Sequence, residues 1–171
     1  MEKLPLFGES EIAFLEALRA AHVDFLVVGL SAAALQGAPV VTRDVDLWFR
    51  DLTDENFFEV LRRFGATYVP PVGLNPPMIV GSRIAMFDIV VSMHGLEGFS
   101  AEYRRSREIE VGATMVRVLP LERIIASKRA ANRPKDRAVL PVLENVLRTI
   151  KEARPSRYAE PGRKLVRAKP K

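Results

Sequence analysis

Apolar residues at Ile12, Leu15 and Leu18, with alanines filling the turns between them, predict an amphipathic N-terminal helix capped by Ser10. "VDFLVVG" then reads as a buried strand ended by Gly29, and "SAAALQG" as a short helix that Gly37 terminates in a left-handed conformation. A second strand is expected over "VVTRDVDLWF". Thr53 is placed to cap a helix whose stripe is Phe57, Val60, Leu61 and Phe64. From Gly65 to Gly81 paired prolines interrupt the pattern, which predicts irregular chain with one short strand. "RIAMFDIVVSM" is a third strand, "FSAEYRRSREI" a surface helix and "ATMVRVLP" a short strand. "LERIIASKRAANR" is helical to Pro134, and Val139, Val142, Leu143, Val146, Leu147 and Ile150 form one apolar face of a last helix. Pro134 and Pro141 each begin a helix or kink one. Strands interleaved with helices predict an α/β (α+β) fold, a mixed sheet with helices packed on it.

Acids interrupt the apolar strands. Side chains alternate along a strand, so Asp44 and Asp46 emerge on one face with Cα atoms roughly 6 to 7 Å apart, while Val45 and Leu47 enter the core. Asp88 stands between Phe87 and Ile89 in the same way. If the two strands are neighbours, three carboxylates converge, and such a group repels itself unless a cation sits among them; an all-oxygen set suits Mg²⁺ or Mn²⁺. The plainer alternative is a solvated pair of acids bridged by Arg43 or Arg50, with Asp88 unrelated. Against it stands the element before the pair. A strand ending in glycine and leading into a helix of small residues exposes amides suited to phosphate, with Gly29 and Ser31 as the candidate contacts or, equally, a tight turn and a helix cap.

Composition narrows the classes. The 171 residues suffice for one domain, and 48% apolar with 27% charged residues is a globular balance. We expect residues 1–153 to form that domain and residues 154–171, "RPSRYAEPGRKLVRAKPK", to be a basic, flexible tail. No apolar run approaches membrane-spanning length and no secretory signal is evident, so a cytoplasmic protein without a membrane partner is expected. With no cysteine and two histidines, disulfides, thiol nucleophiles and cysteine-ligated zinc are excluded, and any metal is held mainly by oxygen. The net charge of +5 favours polyanionic company such as nucleotides or nucleic acid.

Gly29, the segment "QGAPVVTRDVDL" from Gln36 to Leu47, Asp88 and "LERIIASKRAANRPKD" from Leu121 to Asp136 together carry a resemblance to the nucleotidyltransferase superfamily. The likeness spans most of Val23 to Leu147 and is to its minimal bacterial branch, which includes AbiEii-type toxin nucleotidyltransferases. It implies that Asp44, Asp46 and Asp88 are the catalytic, metal-binding set for Mg²⁺ or Mn²⁺, and that a nucleoside triphosphate is the substrate. Gly29, Ser31, Thr42, Lys128 and Lys135 would then bind nucleotide or phosphate, though Thr42 could merely favour its strand and Lys128 be a solvated helix lysine. The acceptor would be a tRNA or other RNA, a protein or a small molecule, and an antitoxin or a homodimer the partner. The chain departs from the family pattern at Leu30, where a second glycine or serine is usual, and at Val40 and Val41, where an arginine often stands. Those departures support the alternative of a catalytically weak or inactive nucleotide- or nucleic-acid-binding module; a third reading puts the function in the basic tail. Trp48 is expected to pack, and His94 to lie on the surface.

Overall fold

The computed structural model describes residues 6–153. The expected tail, 154–171, lies outside the described residues. The first helix, α1 (Glu9–Ala20), begins after Gly8 with no side-chain cap, so Ser10 is already inside the helix rather than capping it. Strand β1 (Phe25–Val28) is buried throughout and runs directly into α2 (Gly29–Leu35). Strand β2 (Val45–Phe49) is shorter than the pattern suggested, because the chain from Pro39 to Asp44 is irregular. Helix α3 (Glu55–Arg63) is capped by Asp54, whose carboxylate accepts from the Asn56 amide at 2.9 Å; Thr53 instead hydrogen-bonds Asp51. The proline-rich stretch contains two short strands, β3 (Thr67–Val69) and β4 (Met78–Val80), where one was expected. β5 (Phe87–Val90) follows a single 3-10 turn, and α4 (Phe99–Arg105) leads into β6 (Arg107–Val111) and β7 (Thr114–Val118). The sequence pattern predicts helix as far as Ile109, where β6 forms instead. Its charged residues alternate with Ile109 and Val111, a period-two pattern that pairing with β7 makes productive.

The sheet has seven strands in the order β3-β4-β5-β2-β1-β7-β6. β1 runs antiparallel to β2, and β2 runs parallel to β5, so the expected mixed sheet forms. Phe14 of α1 packs on Phe87 with ring centroids 4.9 Å apart, which fixes α1 on the Phe87 face of the sheet. Asp88 follows Phe87 and therefore points the other way. On that opposite face lie α5 (Leu121–Ala131) and α6 (Pro134–Ala153), which pack against one another.

Alanine makes the close packing of α2 workable: Ala32 and Ala33 are fully buried, and α2 contacts both β1 and β2. At its end, Gln36 donates to the carbonyls of Ala32 and Leu119 and accepts from the Leu121 amide at 3.0 Å. One side chain thus satisfies an N-terminal amide of α5 and ties that helix to α2. Asn132, in the left-handed conformation (φ 49°), then turns the chain from α5 into α6, where Pro134 takes the first position and Pro141 lies in the interior. Among the described residues no helix is long and apolar enough to cross a membrane.

Candidate active site

The site is built where β1 ends. Gly29 has φ +64°, and a Cβ placed there would overlap the carboxylate of Asp46. Both facts favour glycine. Across the sheet, Val28 of β1 pairs with Asp46 of β2, and Asp46 pairs with Asp88 of β5. In-register neighbours share a face, so the two acids stand side by side at the same depth. The acid-bearing strands β2 and β5 are neighbours, which is the condition for their carboxylates to converge.

Asp44 reaches the site differently from the sequence reading. It sits in a bend before β2 rather than on the strand, so strand alternation does not aim it. Thr42 shapes that bend, its hydroxyl donating to the Asp44 carbonyl at 2.9 Å. A cleft of about 490 Å³ brings Asp44, Asp46 and Asp88 together with Gly29, Leu30 and Thr42. That volume is in the range of small-molecule sites. Lys128, Arg133 and Lys135 contribute to the same lining from the helical side, and Ser92 and His94 from the segment after β5.

Ser31 is not part of the lining. It is fully buried, and its hydroxyl donates to the Val28 carbonyl at 3.0 Å, which makes it a packing and hydrogen-bonding residue of the strand–helix turn. Trp48 is buried as expected, with its indole edge-on to Phe99 at 5.7 Å. His94 is exposed, as expected, yet it borders the cleft.

The charges are opposed across the cleft. Burial pushes the Asp46 carboxyl up to about 6, the charges of Asp88 and Asp44 add to the rise, and Lys128 and Lys135 oppose it. Asp88 is raised as well, by burial and then by Asp44. Among the described residues no group of three or more His, Cys, Asp and Glu side chains is arranged, as it stands, to hold a metal ion. The donor chemistry nevertheless fits a hard divalent cation: the three acids supply oxygen alone, Asp46 is desolvated beside two like charges that Lys128 and Lys135 do not fully offset, and the Asp44 and Asp88 side chains are exposed.

Sequence reasoning gave two residues here no role in the site, reading Asp136 with Lys135 at most as a helix start. Asp136 is fully buried; its carboxylate takes the Lys128 ammonium at 2.9 Å and the Arg133 Nε at 2.6 Å. Burial alone would raise its carboxyl, but those two partners hold it well below the usual carboxylate range. Arg133 follows the left-handed Asn132, and it was the unread turn, not the composition, that hid it. An asparagine directly after a helical run and before "RP" was the available signal.

No family model matches the sequence, and no curated protein matches it. Solved structures do. The crystal structure of ANT(2'')-Ia in complex with adenylyl-2''-tobramycin aligns with a TM-score of 0.55 and 13% identity over 83% of this chain and 92% of that one. The solution structure of the same antibiotic-resistance factor gives 0.54, 12%, 85% and 94%. An antigenic nucleotidyltransferase-like protein from Paracoccidioides brasiliensis gives 0.50, 14%, 85% and 87%. The chain has the nucleotidyltransferase fold; the likeness extends over nearly the whole length of these neighbours.

Proposed function

We propose that the protein is a metal-dependent nucleotidyltransferase that moves a nucleoside monophosphate from a nucleoside triphosphate to a hydroxyl group. One observation carries the reading: Asp46 and Asp88 are in register on neighbouring parallel strands and share a cleft with Lys128, Arg133 and Lys135. Acids for a cation and bases for a phosphate chain are what this transfer requires.

Asp44, Asp46 and Asp88 would hold Mg²⁺ or Mn²⁺, which when bound offsets charge on the phosphates and on the attacking and departing oxygens. Lys128, Arg133 and Lys135 engage the triphosphate tail. Gly29, lacking a side chain, leaves room for the Asp46 carboxylate at the end of β1. Asp88, exposed at the cleft, would also accept the proton of the acceptor hydroxyl. The acceptor oxygen forms a bond to the α-phosphorus as the bond to the bridging oxygen breaks, and pyrophosphate leaves with that electron pair.

The acceptor is a hydroxyl of RNA, protein or a small molecule. The structural neighbour with an adenylylated tobramycin makes hydroxylated small molecules the first set to assay. The resemblance to AbiEii-type enzymes carries the narrower reading of a toxin with an antitoxin partner, which growth arrest on expression, absent in Asp44→Ala/Asp46→Ala, would support. Leu30, which lines the cleft where the family has a smaller residue, favours the second reading of a weakly catalytic nucleotide-binding module.

The deciding experiment is thermal stability with each ribonucleoside triphosphate, with and without Mg²⁺, for wild type and Asp44→Ala/Asp46→Ala. Ligand at about a hundred times its dissociation constant adds roughly 2.7 kcal/mol. A Mg²⁺-dependent shift lost in the double variant is expected. No shift with any triphosphate overturns the reading.

A further inference from the structure

A fully buried carboxylate holding two cations that both line a cleft is an expensive arrangement for stability alone, because apolar residues of similar volume fill such space at no desolvation cost. Asp136 is in that position. Its Oδ1 accepts from the Lys128 Nζ, and its Oδ2 from the Arg133 Nε and from the Arg133 amide at 3.3 Å. Lys128 comes from α5 and Arg133 from the turn after it, so one carboxylate spans the α5–α6 junction.

The contacts constrain how each cation can act. Lys128 has only 14% of its side chain exposed, and Asp136 restrains it to one position at the cleft wall. Arg133 is 53% exposed, and its guanidinium keeps donors to spare beyond the Asp136 contact. Two cations against one carboxylate leave a net positive charge on this wall, opposite Asp46.

We infer that Asp136 is a positioning residue for the phosphate-binding wall: it fixes Lys128 and Arg133 so that both meet the triphosphate tail, with Arg133 a direct phosphate contact. This rests on the transferase reading given above. Without Asp136, both side chains keep their charge but lose their fixed place, and the ordering entropy falls on binding instead.

The test is titration calorimetry of wild type with the triphosphate that gives the largest thermal shift and with its monophosphate, in Mg²⁺, followed by Asp136→Asn alone and in a Lys128→Ala/Arg133→Ala background. Asp136→Asn should weaken triphosphate binding by roughly tenfold or more, as loss of ordered charge-assisted contacts implies. The monophosphate should weaken less. In the doubly substituted background the same change should have little further effect, since Asp136 acts through those two side chains. Equal losses in both backgrounds, or a folded Asp136→Asn that binds like wild type, overturn the assignment.

Should Asp136→Asn fail to fold, Arg133→Lys keeps the charge but not the guanidinium geometry, and Arg133→Ala removes both. Both must lower triphosphate affinity, Arg133→Lys the less, while Arg137→Ala, which loses an exposed contact to the Asn132 carbonyl, must not. Unchanged affinity in both Arg133 variants overturns the proposal. Wild type that binds no triphosphate overturns the transferase reading and this inference with it. Wild type that binds while the variants are unaffected overturns the inference alone.

Discussion

Gly29 and Asp46 approach so closely that a methyl group at position 29 would occupy the space of the Asp46 carboxylate. The end of β1 and the acid of β2 are therefore one structural unit. Gly29→Ala meets two penalties, a left-handed backbone costing about 1 to 2 kcal/mol and displacement of the carboxylate. We expect a loss of about 2 to 3 kcal/mol in urea denaturation and disappearance of the Mg²⁺-dependent triphosphate shift. A variant as stable as wild type would show that the turn relaxes freely.

Asp46 itself lowers stability at neutral pH. Its folded carboxyl, at about 6, binds a proton more tightly than the ordinary 3.8, so the folded state is favoured at low pH and loses that advantage as pH rises between those values. Asp46→Asn removes the ionised form. In chelator, at pH 7.5, it should be more stable than wild type by on the order of 1 to 2 kcal/mol after allowance for partial exposure, with the difference vanishing near pH 4. Urea melts at both pH values measure this. A destabilised Asp46→Asn at pH 7.5 would mean that burial and the neighbouring acids do not strain the site.

Asp136 has the opposite sign. Held below the ordinary carboxylate range by Arg133 and Lys128, it adds stability that is fully present above pH 3.8 and is lost as pH falls toward its depressed folded value. Asp136→Ala leaves Lys128 partly buried without a partner and should cost about 3 kcal/mol at pH 7, shrinking in acid. Equal losses at pH 7 and pH 3 would refute the ionic origin.

Ser31 and Lys135 separate the two phosphate candidates. Ser31→Ala should cost about 1 kcal/mol of stability through the lost bond to the Val28 carbonyl and leave triphosphate affinity within about twofold. Lys135→Ala, at an exposed cleft position, should leave stability within about 0.5 kcal/mol and weaken the triphosphate several-fold, more so at low salt. Calorimetry on the pair distinguishes them; a reversed pattern would place the phosphates against α2 after all.

What the sequence determined by itself is what short-range physics writes into the chain. Alternation across Val45, Asp46 and Leu47, and across Phe87, Asp88 and Ile89, marked acids projecting from buried strands. The helical period of Phe57, Val60 and Leu61 marked α3, and lone glycines marked turns. Tertiary structure decided which strands are neighbours, because pairing partners are chosen by packing over long sequence separations; Asp46 meets Asp88 only through the parallel β2–β5 register. It also buried Ser31, because α2 packs on β1 and β2, and made β6 a strand because β7 was there to pair with it. Asp136 shows the difference most plainly: in sequence it is one more charge in a basic run, and burial against Lys128 and Arg133 comes from the α5–α6 turn at Asn132, which hydrophobic periodicity does not encode.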